Sequence, residues 1–222
     1  MENLSEWLGG TGEQVRRRVR LLMLLDAADY AVISPLTTTR LHAFAFLAEV
    51  LSPIYQLTNL TGRIMKRRIG PYFPDLQWEL DRLVGFGLVD VTELRPVVEV
   101  SRAYLHACFS LNRVAAQPVL EFVHEDAAFT KLRDFLREVA GALGAVPEED
   151  LDSTTLSDVT WDTGTSGAVI DYAEWRARNY SYMSAERIEE LANENLGAVP
   201  GTLSPGAKVN LYVHYLRRAA NG

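Results

Sequence analysis

Cysteine is almost missing from this chain: Cys108 is the single thiol in 222 residues. No intramolecular disulfide can form, and a zinc site built from several thiolates is excluded. A chain of this length needs no such staple, because it can bury an adequate core. Long apolar runs are missing too. Leu21 to Leu25 is the longest nearly pure one and is followed by Asp26 and Asp29, far short of the ~20 residues of a membrane span. The first residues, MENLSEWLGG, have neither a basic start nor an apolar signal core. These absences point to a reducing cytoplasm and to no membrane partner. Positive charge is also in deficit. With 22 Lys and Arg against 29 Asp and Glu, the formal charge is −7, which opposes a wholly electrostatic attachment to DNA.

Signatures of catalysis are as scarce. His42, His106, His124 and His214 are scattered, and none stands in a recognised metal-ligand spacing. Cys108 lies in an apolar strand pattern without a basic neighbour, the setting of an inert core thiol. Gly62 and Gly164-Thr165-Ser166-Gly167 lack the G-x-x-x-x-G-K-S/T of a phosphate loop and are more simply turns. The pairs Asp26 with Asp29 and Glu148 with Glu149 are of a kind common on solvated faces. No catalytic residue, metal or cofactor is expected, so the chain reads as a binding subunit rather than an enzyme.

What is present is helical periodicity around one strand pair. Thr11 and Gln14 have capping-box spacing ahead of a helix over about 13–31. Thr37 to Thr39 offer caps to a second helix with Leu41, Phe44, Ala48 and Leu51 on one face, ended by Pro53. Arg63 to Ile69 is a possible short strand. Asp75 is placed to cap a third helix, stopped by Gly85 and Gly87. Leu88 to Glu93 and Val97 to Val100 then read as strands around a turn at Arg95-Pro96, and Ala103 to Leu111 alternates at period two. Helix, helix, helix, hairpin is the outline of a winged helix. Beyond it, Phe129, Leu132, Leu136, Val139 and Leu143 mark a long helix, 145–167 is an acidic linker or loop, 168–175 fits strand or helix, and Ser184 and Ser204-Pro205 open two last helices. The fold class is mainly α with a small β-hairpin or sheet. A winged-helix-like domain over 1–112 precedes a helical C-terminal region over 113–222.

A winged helix that reads sequence places the helix before the wing in the major groove, with cationic or amide side chains on base edges. Here that helix carries Asp75, Glu79 and Asp81 against Arg82, a surface that a polyanion repels. The cationic candidates are Arg63, Lys66, Arg67 and Arg68, fit for phosphate or for an acidic partner. Tyr72, Phe73 and Trp78 suit a protein interface, where aromatic and Arg side chains dominate; their alternative is core packing.

The string from Leu22 to Asp29, the capped helix at Thr37, and Arg68-Ile-Gly-Pro-Tyr-Phe-Pro-Asp-Leu-Gln-Trp-Glu-Leu-Asp-Arg-Leu-Val-Gly-Phe-Gly-Leu-Val-Asp-Val together resemble a known pattern. They resemble the winged-helix middle components of bacterial three-component ABC-ATPase conflict systems, including the small subunit of Lamassu-type anti-phage complexes. The resemblance covers about residues 13–111. It implies a non-catalytic subunit that joins an SMC- or Rad50-like ATPase to an effector, often a nuclease, with DNA engaged mainly through the complex. The G-P-x-x-P element followed by L-x-x-x-L-x-x-L and G-L-V is also similar to Panacea-type antitoxin domains, so a DNA-binding regulator or antitoxin is the alternative. The family motif supplies no catalytic residue to carry over.

Overall fold

In the computed structural model, residues 2–57, 63–67, 70–99, 102–161, 169–171, 183–196 and 203–221 are described. The N-terminal elements are α1 (Glu2–Leu8), α2 (Gly12–Tyr30), β1 (Leu36–Thr37), α3 (Thr38–Leu51), β2 (Arg63–Arg67), β3 (Gly70–Tyr72), α4 (Pro74–Gly85), β4 (Val89–Glu99) and β5 (Arg102–Leu111). There follow α5 (Arg113–Glu125), α6 (Ala127–Gly144), α7 (Leu151–Leu156), β6 (Val169–Asp171), α8 (Met183–Leu196) and α9 (Pro205–Asn221). The fold is mainly α with small antiparallel sheets.

The winged-helix unit comprises α2, β1, α3, α4 and the β4–β5 hairpin, with sheet order β1-β5-β4. A second sheet, β3-β2-β6, sits in the segment between α3 and α4 and recruits its third strand from the C-terminal half. Local chemistry sets the helix starts. Thr11 N–H donates to Gln14 Oε1 at 2.9 Å, Thr37 Oγ1 accepts from Arg40 N–H at 3.0 Å, and Asn112 and Asp126 cap α5 and α6. After α4, Gly87 turns left-handed at φ +72° and the Leu88 N–H returns to the Leu83 carbonyl, so the stop is realised at Gly87, while Gly85 is the last helical residue.

Several expectations are corrected. Asp75 lies in the first turn of α4 rather than at its cap, because Pro74 occupies the first helical position after Phe73. Arg95-Pro96 is not the hairpin turn. β4 runs through it, with Arg95 opposite His106 and Pro96 opposite Leu105, and a bulge lies between Thr92 and Arg95. β4 is an edge strand, where a missing N–H is tolerated. The apolar face expected of α3 is a full circumference: every residue from Leu41 to Leu51 is buried. Ser184 lies inside α8, and its hydroxyl donates to Asp158.

The acidic segment after α6 is no linker as far as Trp161. Val146, Leu151 and Trp161 join the core, and Asp158 is buried. Val100, the rest of the acidic stretch from Asp162, and Tyr172 to Trp175 lie outside the described residues. One hydrophobic core also runs across the boundary drawn at 112/113: it includes Leu22, Phe44 and Leu83 together with Phe135, Val139 and Tyr212. Among the described residues, this one cluster draws on both sides of that boundary. Among the described residues, no helix is long and apolar enough to cross a membrane.

Buried polar groups bind these elements together. Arg18, 1% exposed, donates from Nε to Glu79 Oε2 at 2.6 Å and from Nη1 to the carbonyls of Leu8 and Gly9. It thereby joins α1, α2 and α4. Asp26 accepts from Arg113 Nη2 at 3.2 Å and lies 3.1 Å from His124 Nε2, tying α2 to α5. Asp158 accepts from Thr160 N–H at 2.8 Å, from Ser184 Oγ at 3.1 Å and from Tyr212 OH at 2.8 Å. Burial raises the Asp158 carboxyl above its usual range, partly offset by these hydrogen bonds. Burial, and then the Asp158 charge, raise the Tyr212 phenol as well.

Removing one partner of a buried pair strands the other charge without water. Arg18→Ala or Glu79→Ala is therefore expected to lower unfolding free energy by about 3–5 kcal/mol. Arg18→Met with Glu79→Leu should recover most of that loss in urea titrations; a double variant as unstable as the singles would show that the packing, and not the charge pair, was lost.

Candidate functional site

Because Glu79 points inward, the outward face of α4 carries Trp78, Asp81 and Arg82. Trp78 is 69% exposed, and Leu94, Val98 and Leu105 on the wing are exposed as well. Between α4, the wing, the start of α3 and the β2–β3 hairpin lies a cleft of about 640 Å³. Leu94, Leu105, Val91 and Val84 form its apolar side; His42, Gln77, Asp81 and Arg67 form its polar side.

A hydrogen-bonded chain runs along that polar side. The Phe73 N–H donates to His42 Nδ1 at 3.3 Å, so Nδ1 is bare and the proton sits on Nε2. Nε2–H then donates to Gln77 Oε1 at 3.3 Å, and Gln77 Nε2 donates to Asp81 Oδ1 at 2.8 Å. Arg67 lays its guanidinium 3.5 Å from the centre of the Tyr72 ring, whose centre is 4.6 Å from that of His42. Gly70 has φ +107°, and a Cβ there would lie 2.6 Å from Asp152 Oδ1, so that corner requires glycine.

The basic run does not form one patch. Along β2, Ile64 and Lys66 face inward while Arg63 is exposed. Lys66 donates to the Trp161 carbonyl and lies 5.5 Å from the centre of that indole ring, so it is not placed for a phosphate. Arg67 is half-buried on Tyr72, which leaves Arg63 as the outward cation among the described members; Arg68 lies outside the described residues, as do Gly62 and Gly164 to Gly167. Of the three aromatic candidates, Phe73 is fully buried and is a core residue. Tyr72 is half-buried against Arg67, and Trp78 is exposed. The acidic load of α4 is also lighter than its sequence implies, since Arg18 neutralises Glu79.

Sequence reasoning missed two groups. The first is the His42, Gln77 and Asp81 chain, in which His42 lies on α3 and the other two on α4. The second is on the opposite face of the wing: Glu93, His106 and Cys108 bring a carboxylate oxygen, an imidazole nitrogen and the sulfur within 4.8 Å of one another. His106 and Cys108, two apart on a strand, share a face, a signal legible in sequence; Glu93 joins them only through the bulge, with φ +55°. Cys108 therefore has titratable neighbours that its apolar sequence setting does not suggest. Its thiol pKa is raised by burial first and then by Glu93 and Glu148, against a smaller lowering by Arg95.

No protein-family model, curated protein or solved structure matches this chain.

Burial lowers the pKa of His42 from 6.5 to about 4; the bond to Gln77 opposes the shift, and Arg67 adds to it. In the unfolded chain His42 takes up a proton near pH 6.5, which the folded chain refuses until about pH 4. The neutral ring thus contributes stability that is complete above the unfolded value and is lost as pH falls through this window. The expected slope from this residue is up to about 1.4 kcal/mol per pH unit. His42→Gln should flatten the acid limb of unfolding free energy against pH, read from urea titrations, by that amount; an unchanged limb would assign the acid sensitivity to other groups.

Proposed function

We propose that this chain is a non-catalytic binding subunit whose α4–wing face docks onto a partner protein. What carries the reading is Trp78, a large aromatic 69% exposed on the helix that a DNA-reading winged helix would insert into the groove. The same helix and the wing add Asp81, Leu94 and Leu105, which line the cleft, a combination that suits an apolar and basic protein surface. Taken with the sequence resemblance, the proposed partners are an SMC- or Rad50-like ABC ATPase and an effector nuclease in a cytoplasmic bacterial anti-phage complex. In that complex the chain would bridge the two and couple DNA sensing by the ATPase to effector release.

The DNA-binding regulator or antitoxin is less well supported, because the inward turn of Lys66 removes a cation from its candidate phosphate contacts, although the neutralised Glu79 removes one repulsive charge.

Co-expression with the proteins encoded beside it tests the proposal. A stable complex containing an ABC ATPase is expected, and Trp78→Ala, on an exposed position, should weaken it by at least about 30-fold, the loss of a hot spot of roughly 2 kcal/mol. A chain that stays monomeric among its neighbours would sink the idea. Salt-sensitive duplex binding that falls with Arg63→Ala and Arg67→Ala would transfer the assignment to the regulator.

A further inference from the structure

The wing carries three donors of different chemistry that converge on one point. Glu93 Oε2 lies 3.6 Å from His106 Nε2, and Cys108 Sγ lies 3.8 Å from the same nitrogen. A tetrahedral zinc ion with bonds of about 2.3 Å to sulfur and about 2.0–2.1 Å to nitrogen and oxygen sets its ligand atoms roughly 3.3–3.6 Å apart. The two measured edges exceed that only slightly. The third is within 4.8 Å, and Glu93 is exposed, so rotation of its carboxylate can shorten that edge without repacking the core.

We propose that Glu93, His106 and Cys108 form a site for one divalent ion of the zinc class, held by three protein ligands with a fourth position open to water.

The donor set selects the ion. A thiolate and an imidazole suit zinc and disfavour magnesium and calcium, which require oxygen ligands. The surroundings favour a cation. Glu148, fixed by Arg40 Nε at 2.8 Å and by the Thr37 hydroxyl, adds negative potential at the thiol, as Glu93 does. Thr37 is the cross-strand partner of Cys108, so this carboxylate is held in place beside the site. When the metal–sulfur bond forms, the Cys108 proton leaves to solvent; no oxidation state changes. Without an ion, the same residues amount to a histidine–glutamate pair next to a thiol whose pKa is raised by burial and by Glu93. The 3.8 Å separation of sulfur and nitrogen makes that contact a weak hydrogen bond at best.

Cobalt(II) titration of the full chain, carrying no affinity-tag histidines and kept anaerobic, tests the site. The expected result is one equivalent bound, with near-ultraviolet thiolate-to-cobalt charge transfer and visible bands of tetrahedral intensity. Zinc should displace it, whereas excess magnesium should not. Cys108→Ser should abolish the charge-transfer band. Glu93→Gln, on an exposed strand position, keeps the fold and should weaken cobalt binding at least about tenfold, a loss typical even of outer-shell partners. Absence of the band in the unaltered chain, its persistence in Cys108→Ser, or unchanged affinity in Glu93→Gln would each overturn the proposal, and the Glu93 variant decides it even if the Cys108 variant unfolds.

Discussion

The buried pair of Arg18 and Glu79 constrains everything on the outward side of this protein. A guanidinium and a carboxylate brought out of water each lose solvation worth several kcal/mol, and their mutual attraction offsets this only when the geometry is good and the other N–H groups are used. Arg18 meets most of that demand with Glu79 on Nε and the Leu8 and Gly9 carbonyls on Nη1; Nη2 is buried without a hydrogen-bond partner among the described residues, and the guanidinium carbon lies 5.6 Å from the centre of the Phe86 ring. The pair therefore fixes the rotation of α4 about its own axis. With Leu76, Glu79, Leu80 and Leu83 all inward, a helix of 3.6 residues per turn presents 78, 81, 82 and 85 to solvent. The exposure of Trp78 and the position of Asp81 at the cleft follow from this charge pair together with the leucines buried on the same side of the helix.

Asp26 and Asp158 solve the same desolvation problem in different ways. Asp26 is matched by cationic side chains from α5 and α6, so its charge is neutralised across the boundary between the N- and C-terminal halves. Asp158 is met by hydroxyls and a backbone amide from Thr160, Ser184 and Tyr212. Hydroxyls stabilise a carboxylate less than a full positive charge does, and the carboxyl pKa accordingly stays raised. Both aspartates join segments far apart in sequence. Asp26 thereby helps explain why the winged-helix unit and the following helices share one core, whereas Asp158 ties together segments within the C-terminal half.

Elements stabilised by nearby residues were legible in the sequence. The Thr11 and Gln14 pair, the glycine stop after α4 and the stripe of α9 at Val209, Tyr212, Val213 and Leu216 each depend on neighbours within a few turns. Features that depend on distant partners were not. Lys66 and Arg67 are adjacent and alike in charge, yet one turns to Trp161 and the other to Tyr72, because alternation along β2 assigns them to opposite faces. Glu79 looks like any surface carboxylate until Arg18, 61 residues away, is brought beside it. Arg95-Pro96 has the composition of a turn, but proline is admitted on an edge strand, and the bulge before it carries the irregularity that the composition signals.

That bulge also links the two faces of the wing. A regular antiparallel ladder sends successive side chains to opposite sides, and the extra residue between Thr92 and Arg95 locally resets which side each takes. Leu94 enters the cleft beside α4, while Glu93 turns to His106 and Cys108 on the other face. The two residues share one peptide unit, and Glu93 holds a left-handed conformation at φ +55° that non-glycine residues adopt only when their surroundings enforce it. Ordering Glu93 on one face therefore restricts Leu94 on the other. An ion bound by Glu93 and a protein seated on Leu94 would act on the same short stretch of backbone, and any binding energy either gains from fixing it would be shared with the other by linkage.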